Sequence, residues 1–245
     1  MTVNFQKCLI VASLAVSSAA FAQTAAPAPD YTLSYNAGVV TDYRYRGLTQ
    51  SRHQAAVQGG IDFAHASGLY VGTWATTIKW VKDAGGDAPI EIDFYGGYKG
   101  TAGDLGYDVG VLRYQYPSHK LAASPNTTEI YGALTYSMFT LKYSHAISDL
   151  FGFDNSKNSF YVDLSAAFDL GNGWSLTPHV GYQKIKHYGD NSYTDYSLTV
   201  GKDLGNGWSA TAALIGTDAD KALNRTVNNK FSGNTMVVAG LKYSF

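Results

Sequence analysis

From residue 31 to its end the chain alternates apolar and polar residues with a period of two, in one segment after another. Successive side chains of a strand point to opposite faces, so the pattern predicts strands with one greasy and one polar face. No stretch in this region keeps a helical period. The alternation is clearest where Phe160, Val162, Leu164, Ala166 and Phe168 oppose Tyr161, Asp163, Ser165 and Ala167. It recurs where Trp174, Leu176, Pro178, Val180 and Tyr182 oppose Ser175, Thr177, His179, Gly181 and Gln183. Ile90, Ile92 and Phe94 oppose Glu91, Asp93 and Tyr95, and Val237 to Phe245 repeats the pattern at the end. Strands are predicted at 31–45, 53–65, 68–78, 88–98, 104–116, 127–136, 139–148, 158–169, 173–185, 194–203, 207–216 and 235–245. In the fifth, Tyr107, Val109 and Val111 put Arg113 on the greasy face, and in the ninth Pro178 cannot donate to a ladder.

The connections alternate too. After every even-numbered strand up to the tenth they are short, ending with two near-copies, Asp169-Leu170-Gly171-Asn172-Gly173-Trp174 and Asp203-Leu204-Gly205-Asn206-Gly207-Trp208. Asn-Gly supplies the positive φ angles of tight hairpins. After odd-numbered strands the connections are longer and polar, the last running from Thr217 to Asn234. A soluble sandwich has no reason to gather its long loops at one end. An outer-membrane barrel does, with short periplasmic turns, long outer loops and an even strand count. In lipid every backbone polar group needs an internal partner, so strands span only as a closed barrel. The fold expected is therefore all-β, a twelve-stranded antiparallel transmembrane β-barrel of the outer-membrane type over 31–245. Trp174 and Trp208 follow short turns, and with Tyr136, Phe139, Tyr243 and Phe245 they predict a periplasmic aromatic girdle.

The first residues fit this destination. Lys7, an apolar run from Leu9 to Val16 and Ala20-Phe21-Ala22 have the order of a secretory signal peptide, 1–22, with Gln23 as the mature start. Residues 23–30 read as a Pro/Ala-rich periplasmic linker. The single cysteine, Cys8, falls in the leader, so the mature chain is expected to hold no disulfide, thiolate ligand or thiol nucleophile. A net charge of −1 does not imply a strongly electrostatic partner such as nucleic acid, and none is expected. Nineteen tyrosines and 26 glycines suit two-faced strands better than a soluble core.

The stretch Ser34-Tyr35-Asn36 through Thr41-Asp42-Tyr43-Arg44-Tyr45-Arg46-Gly47-Leu48-Thr49-Gln50-Ser51 resembles the first-strand signature of porins of the TorF type, a family also catalogued as Gcw_chp, bacterial proteins of unknown function. Glu91-Ile92-Asp93-Phe94-Tyr95-Gly96-Gly97-Tyr98 and the closing Leu241-Lys242-Tyr243-Ser244-Phe245 are similar to later parts of it. The resemblance implies a barrel in a Gram-negative outer membrane, porin activity, and no assigned catalytic residue. Phe245 also looks like the C-terminal signal read by the barrel-assembly machinery, which with outer-membrane lipid and small polar solutes makes up the implied partners.

Chemistry beyond this is sparse. The histidines are scattered with no metal-ligand spacing, so no metal and no cofactor is expected. Ser144 and His145 are adjacent in a strand and face opposite ways, which argues against a barrel phospholipase and for a protein that is not an enzyme. Asp83, Gly85, Gly86 and Asp87 in one outer loop, and Asp149, Asp154 and Asn155 in another, lack an EF-hand pattern and read first as solvated loops, with Ca²⁺ as the alternative. The polar faces collect Asp42, Arg44, Arg46, Asp62, Glu91, Asp93, Glu129, Lys142, Asp163, His179, Gln183 and Lys202 as lumen and selectivity candidates. Such side chains either line an aqueous path, where they bias which ions enter, or pair and hold the barrel together. By parity Tyr43 and Tyr45 face lipid, while Asp42, Arg44 and Arg46 face the lumen near its outer mouth and favour anions. The function expected is passive diffusion of small polar solutes through a charged, aromatic-lined lumen. The alternative is a non-conducting barrel whose outer loops serve a structural, adhesive or partner-binding role.

Overall fold

The computed structural model describes residues 29–245. The expected leader and linker lie outside them, apart from Pro29 and Asp30. Twelve antiparallel strands close on themselves. They are β1 Tyr31–Val40, β2 Ala56–His65, β3 Leu69–Thr77, β4 Ile90–Ala102, β5 Leu105–Gln115 and β6 Thr127–Tyr136. They continue as β7 Phe139–Ala146, β8 Phe160–Ala166 prolonged by Phe168–Gly171, β9 Trp174–Lys184, β10 Tyr193–Gly205, β11 Trp208–Thr217 and β12 Met236–Ser244. Each pairs with its neighbours in sequence, and β1 pairs β12 to shut the ring. The seam includes a reciprocal backbone pair, Tyr35 N to Phe245 O at 2.9 Å and Phe245 N to Tyr35 O at 3.0 Å.

The expected boundaries hold to within a few residues except at two places. β4 runs on to Ala102, which leaves only Gly103-Asp104 as its turn. β1 stops at Val40, five residues short of the expected end, because the chain leaves the wall there and enters the barrel. The two repeated turns have the same backbone. Asn172 and Gly173 take φ of 52° and 76°, Asn206 and Gly207 take 51° and 82°. In each copy the aspartate before the turn accepts the N–H two residues on, Gly171 N to Asp169 and Gly205 N to Asp203, both at 2.8 Å.

The greasy face points outwards all round the ring. Val57 is 63 % exposed, Val71 57 % and Val237 61 %, with Leu33, Ile130, Leu141 and Leu198 on the same surface. A continuous exposed apolar band of this kind is expected only where another apolar phase covers it. At the short-turn end Tyr136, Phe139, Trp174, Trp208 and Phe245 are exposed, Trp208 packs on Tyr243 at 4.9 Å and Tyr243 on Phe245 at 5.5 Å.

Closing a sheet this tightly needs room for side chains on the concave wall, and glycine–tyrosine pairs provide it. Tyr95, Tyr70 and Tyr131 stand directly across from Gly72, Gly97 and Gly110. In each pair the ring lies over the glycine, where a Cβ would come within 2.5 to 2.6 Å of a tyrosine atom. On the outer face Tyr107 covers Gly100 and Tyr196 covers Gly216 in the same way. Aromatic cover shields an otherwise bare stretch of backbone and packs the pleat. The abundance of both residue types thus has one cause.

Gly110→Ala would drive its Cβ to 2.7 Å from the Gly96 carbonyl as well as into Tyr131, whereas at Gly132 the nearest atom, Val109 Cγ1, is 4.0 Å away. Urea unfolding in lipid vesicles should show Gly110→Ala destabilised by about 1–3 kcal/mol. Gly132→Ala should stay near wild type, and equal effects at the two sites would contradict the packing described.

Candidate functional site

β1 ends in Val39-Val40, and Thr41 still pairs with β12 through Ala239 O at 2.9 Å. The chain then turns into the barrel. Asp42, 1 % exposed, gathers the next ten residues about its carboxylate. It accepts Arg44 Nε at 2.6 Å, the Thr49 hydroxyl, and the Ser51 hydroxyl at 3.0 Å. The Ser51 Oγ in turn accepts Tyr43 N at 2.9 Å. Around this anchor Arg44–Tyr45 pairs with Leu48–Thr49 as a small hairpin. Its two tip residues, Arg46 and Gly47, take φ of 45° and 80°, as a type I′ turn requires.

The hairpin crosses the lumen and touches the wall on most sides. Tyr43, expected to face lipid, is buried inside. Its hydroxyl donates to Glu91 at 2.6 Å and its ring meets Trp74 of β3 at 5.5 Å. Tyr45 also turns inwards. It donates to the Tyr114 hydroxyl at 2.8 Å and packs edge-on against Tyr114 and Phe151. At the tip Arg46 grips Glu129 of β6 through Nη2, at 3.0 and 2.7 Å, and Gln183 of β9 at 2.5 Å. Its guanidinium lies 4.2 Å from the Tyr161 ring centroid and 4.8 Å from that of Tyr45. Tyr114 also donates to Glu129, at 3.3 Å, so hairpin and wall share one polar ring of Tyr45, Tyr114, Glu129 and Arg46. Gly47 ends against β10 and β11. A Cβ there would sit 2.7 Å from Asp195 Cβ and 3.2 Å from Thr217 Cβ. Parity failed for Tyr43 and Tyr45 because it assumed that the strand continued.

Other outer loops hold the hairpin in place. Arg44 reaches the loop before β12, donating to Ser232 O at 3.1 Å and Asn234 at 3.3 Å, and Thr49 N donates to Ser232 O at 2.9 Å. The loop after β3 carries a helical turn, Trp80–Asp83, whose start meets Gln50 O through Lys79 N and Trp80 N. Asp83 pairs with Arg52, and Asp87 with Lys120 of the next outer loop at 2.8 Å. The hydrogen bond and charge of Lys120 hold the Asp87 carboxyl below its usual range. These acidic loop residues therefore meet the protein's own cations. Tyr43, Ile78, Val81, Tyr114 and Tyr116 form an apolar cluster under these loops.

Below the hairpin the lumen is lined by carboxylates and tyrosines. Tyr95 donates to Asp62 at 2.5 Å and Tyr70 to Asp108 at 2.6 Å, and level with the hairpin tip Tyr161 donates to Asp195 at 2.9 Å. His179 lies 3.6 Å from Asp195 and 3.9 Å from Asp163, and Lys142 stands over the Tyr131 ring at 4.3 Å and opposite Asp163 in register. A cavity of about 230 Å³ lies against the other wall, lined by small and polar residues including Asn36, Gly38, Gln58, Thr211 and Lys242. Asp62, Glu91, Asp93, Glu129, Lys142, Asp163, His179 and Gln183 stand on the inner faces of their strands. Lys202 is a correction. It pairs in register with Trp174, places its ammonium 5.0 Å from that ring and donates to Asn172 O at 2.6 Å, so it sits on the outer face at the short-turn end. Its long stem lies along an aromatic while the charge reaches polar backbone. Arg113, opposite Thr128 and bonded to it at 2.9 Å, is on the outer face as its parity indicated.

Residues 24–245 match the family described as "Bacterial protein of unknown function (Gcw_chp)". The chain belongs to the Gcw_chp family. No curated protein matches the sequence. Among solved structures, this Gcw_chp barrel is similar to one described as "KdgM porin in complex with disordered oligogalacturonate". The TM-score is 0.53 at 8 % identity, covering 87 % of this chain and 98 % of that one. It is similar also to the NanC porin, with a TM-score of 0.51 at 10 % identity, covering 87 % and 99 %. At these identities the likeness shows the shared fold, that of outer-membrane porins.

Arg46 and Glu129 side chains are only 6 % and 2 % exposed. Removing one partner leaves the other charge buried alone, at a cost of about 3–5 kcal/mol. Arg46→Met and Glu129→Met should each lose about that much in urea unfolding, and the double variant should lose clearly less than their sum. Strict additivity would show that the two side chains do not pair.

Proposed function

We propose that this Gcw_chp protein is an outer-membrane porin of the TorF type, passing small polar solutes by diffusion, with the hairpin 42–51 as its constriction. The observation that carries the reading is the division of the wall. The outside is an unbroken apolar band, and the inside is lined with carboxylates, amides and hydroxyls beside open volume. Polar side chains of this kind line a wet path where open volume lies beside them, as it does here. The fold shared with the KdgM and NanC porins supports the same reading. Secretion by the leader, assembly through the strand ending in Phe245 and the aromatic belt at the lipid boundary belong to it. No enzyme activity and no cofactor enter the mechanism. The work of the wall is to stabilise hydrated solutes in a narrow polar channel and to exclude apolar ones.

One observation favours the non-conducting alternative. The hairpin meets β3, β4, β5, β6, β8 and β9 through side chains and β10 and β11 at its tip. Planar-bilayer recording of the refolded mature protein separates the two. The porin reading predicts discrete conductance steps, and it predicts a larger unitary conductance for Arg46→Ala, in which the tip loses Glu129 and Gln183. Silence of both proteins over a range of salt and voltage would assign the barrel to the non-conducting role.

A further inference from the structure

The arginines of the hairpin suggested an anion path when read alone. Their partners remove that suggestion. Arg44 is bound to Asp42 and Arg46 to Glu129, each pair within 2.7 Å and each nearly shut off from solvent. These pairs contribute no net charge to the outer lumen. What is left beside them is acidic. Glu91 and Asp93 stand two residues apart on the inner face of β4, 2 % and 8 % exposed. Among the described residues neither is bonded to a lysine, arginine or histidine. Glu91 is held by two neutral donors, the hydroxyls of Tyr43 at 2.6 Å and Tyr116 at 2.5 Å.

Two oxygens at this corner have no hydrogen-bond partner, Asp93 Oδ1 and Thr76 Oγ1. Thr76 is the direct cross-strand neighbour of Glu91, and Trp74 that of Asp93. Trp74 also lines the cavity in the lumen. A buried carboxylate oxygen left without a partner is an acceptor for a cation or its hydration water and offers nothing to an anion, and the Thr76 hydroxyl beside it can add a second acceptor. The bases lower in the lumen do not reverse the balance. Lys142 faces Asp163 and Lys99 faces Asp108, while Lys242 at the cavity faces no acid and is outnumbered by Asp62, Glu91 and Asp93, which face no base. Within a narrow channel of low-dielectric walls, uncompensated charge sets the sign of the ions admitted.

We infer that the lumen admits cations and amine-bearing solutes in preference to anions, with Glu91 and Asp93 as the residues that set the sign. The inference rests on the porin reading and goes beyond it by naming the solute class. Tyr43 of the hairpin holds the Glu91 carboxylate, and displacing it would free that carboxylate towards the lumen.

The test is the reversal potential of single channels in a KCl gradient, for the wild type, Asp93→Asn and Glu91→Gln. Both substitutions keep size and an acceptor oxygen, and heat-modifiable gel mobility verifies that each variant folds. The expected wild-type potential has the sign of potassium over chloride. In each variant it should move towards zero. Conducting wild-type channels that prefer chloride, or neither ion, overturn the inference while leaving the porin reading intact. A potassium preference unchanged in both variants overturns the role of these two residues. Absence of channels in the wild type overturns the porin reading, and the inference with it. An Asp93→Asn protein that fails to fold leaves Glu91→Gln to decide.

Discussion

Everything in this molecule depends on the seam between β1 and β12. Strands immersed in lipid cannot leave backbone N–H and C=O groups unpaired, because no water is present to bond them. The reciprocal Tyr35–Phe245 pair and the register above it remove both edges of the sheet at once. Closure then fixes an inside and an outside for every residue. It also fixes where the difficult groups go: apolar side chains outwards, carboxylates inwards, and long loops all to one end.

Closure creates a packing problem that the composition answers. A ring of twelve strands has a lumen too wide for ordinary side chains to fill and too curved for bulky residues at every inward position. Tyrosine laid across glycine on the neighbouring strand covers backbone without raising the wall. The phenol oxygen is left free to reach a carboxylate, as Tyr95 does with Asp62 and Tyr70 with Asp108. The same pairs thus hold the sheet's shape and dress its polar face. The hairpin uses that dressing. Tyr43 and Tyr45 dock on Glu91 and Tyr114, and Arg46 closes on Glu129 and Gln183.

Much of the fold was legible because each legible part is a local signal. Period-two alternation gave the number and faces of the strands, Asn-Gly gave two turns, and loop length gave their orientation. Inner-face residues such as Glu91, Asp93, Glu129 and His179 followed from parity within strands that do exist. The hairpin was illegible for the converse reason. Thr41 to Arg46 continues the alternation of β1, and the residues that turn it inwards are distant: Glu91, Glu129 and Gln183 lie on other strands. A local hint was present in Arg46-Gly47, a pair suited to a tight turn, with Asp42, Thr49 and Ser51 placed to bond one another. Lys202 was misplaced because charge was read as lumen. A lysine stem lying along Trp174 is equally at home at the lipid boundary. Tyr114 and Asp195 were not singled out, and Tyr161 only as a polar-face residue, because their importance comes from the hairpin they meet.

The central claim is that residues 42–51 lie inside the barrel with their tip against β11. The sequence's only native cysteine is Cys8, so engineered thiols report without interference from the barrel. A Cβ at Gly47 falls 3.2 Å from that of Thr217, close to the roughly 3.5–4.5 Å that a disulfide needs. In the folded, heat-modifiable double variant Gly47→Cys with Thr217→Cys, mild oxidation should form an intramolecular disulfide and leave neither thiol open to a bulky water-soluble maleimide. If both thiols are instead labelled readily while the barrel stays folded, the segment stands outside the lumen and the account is contradicted.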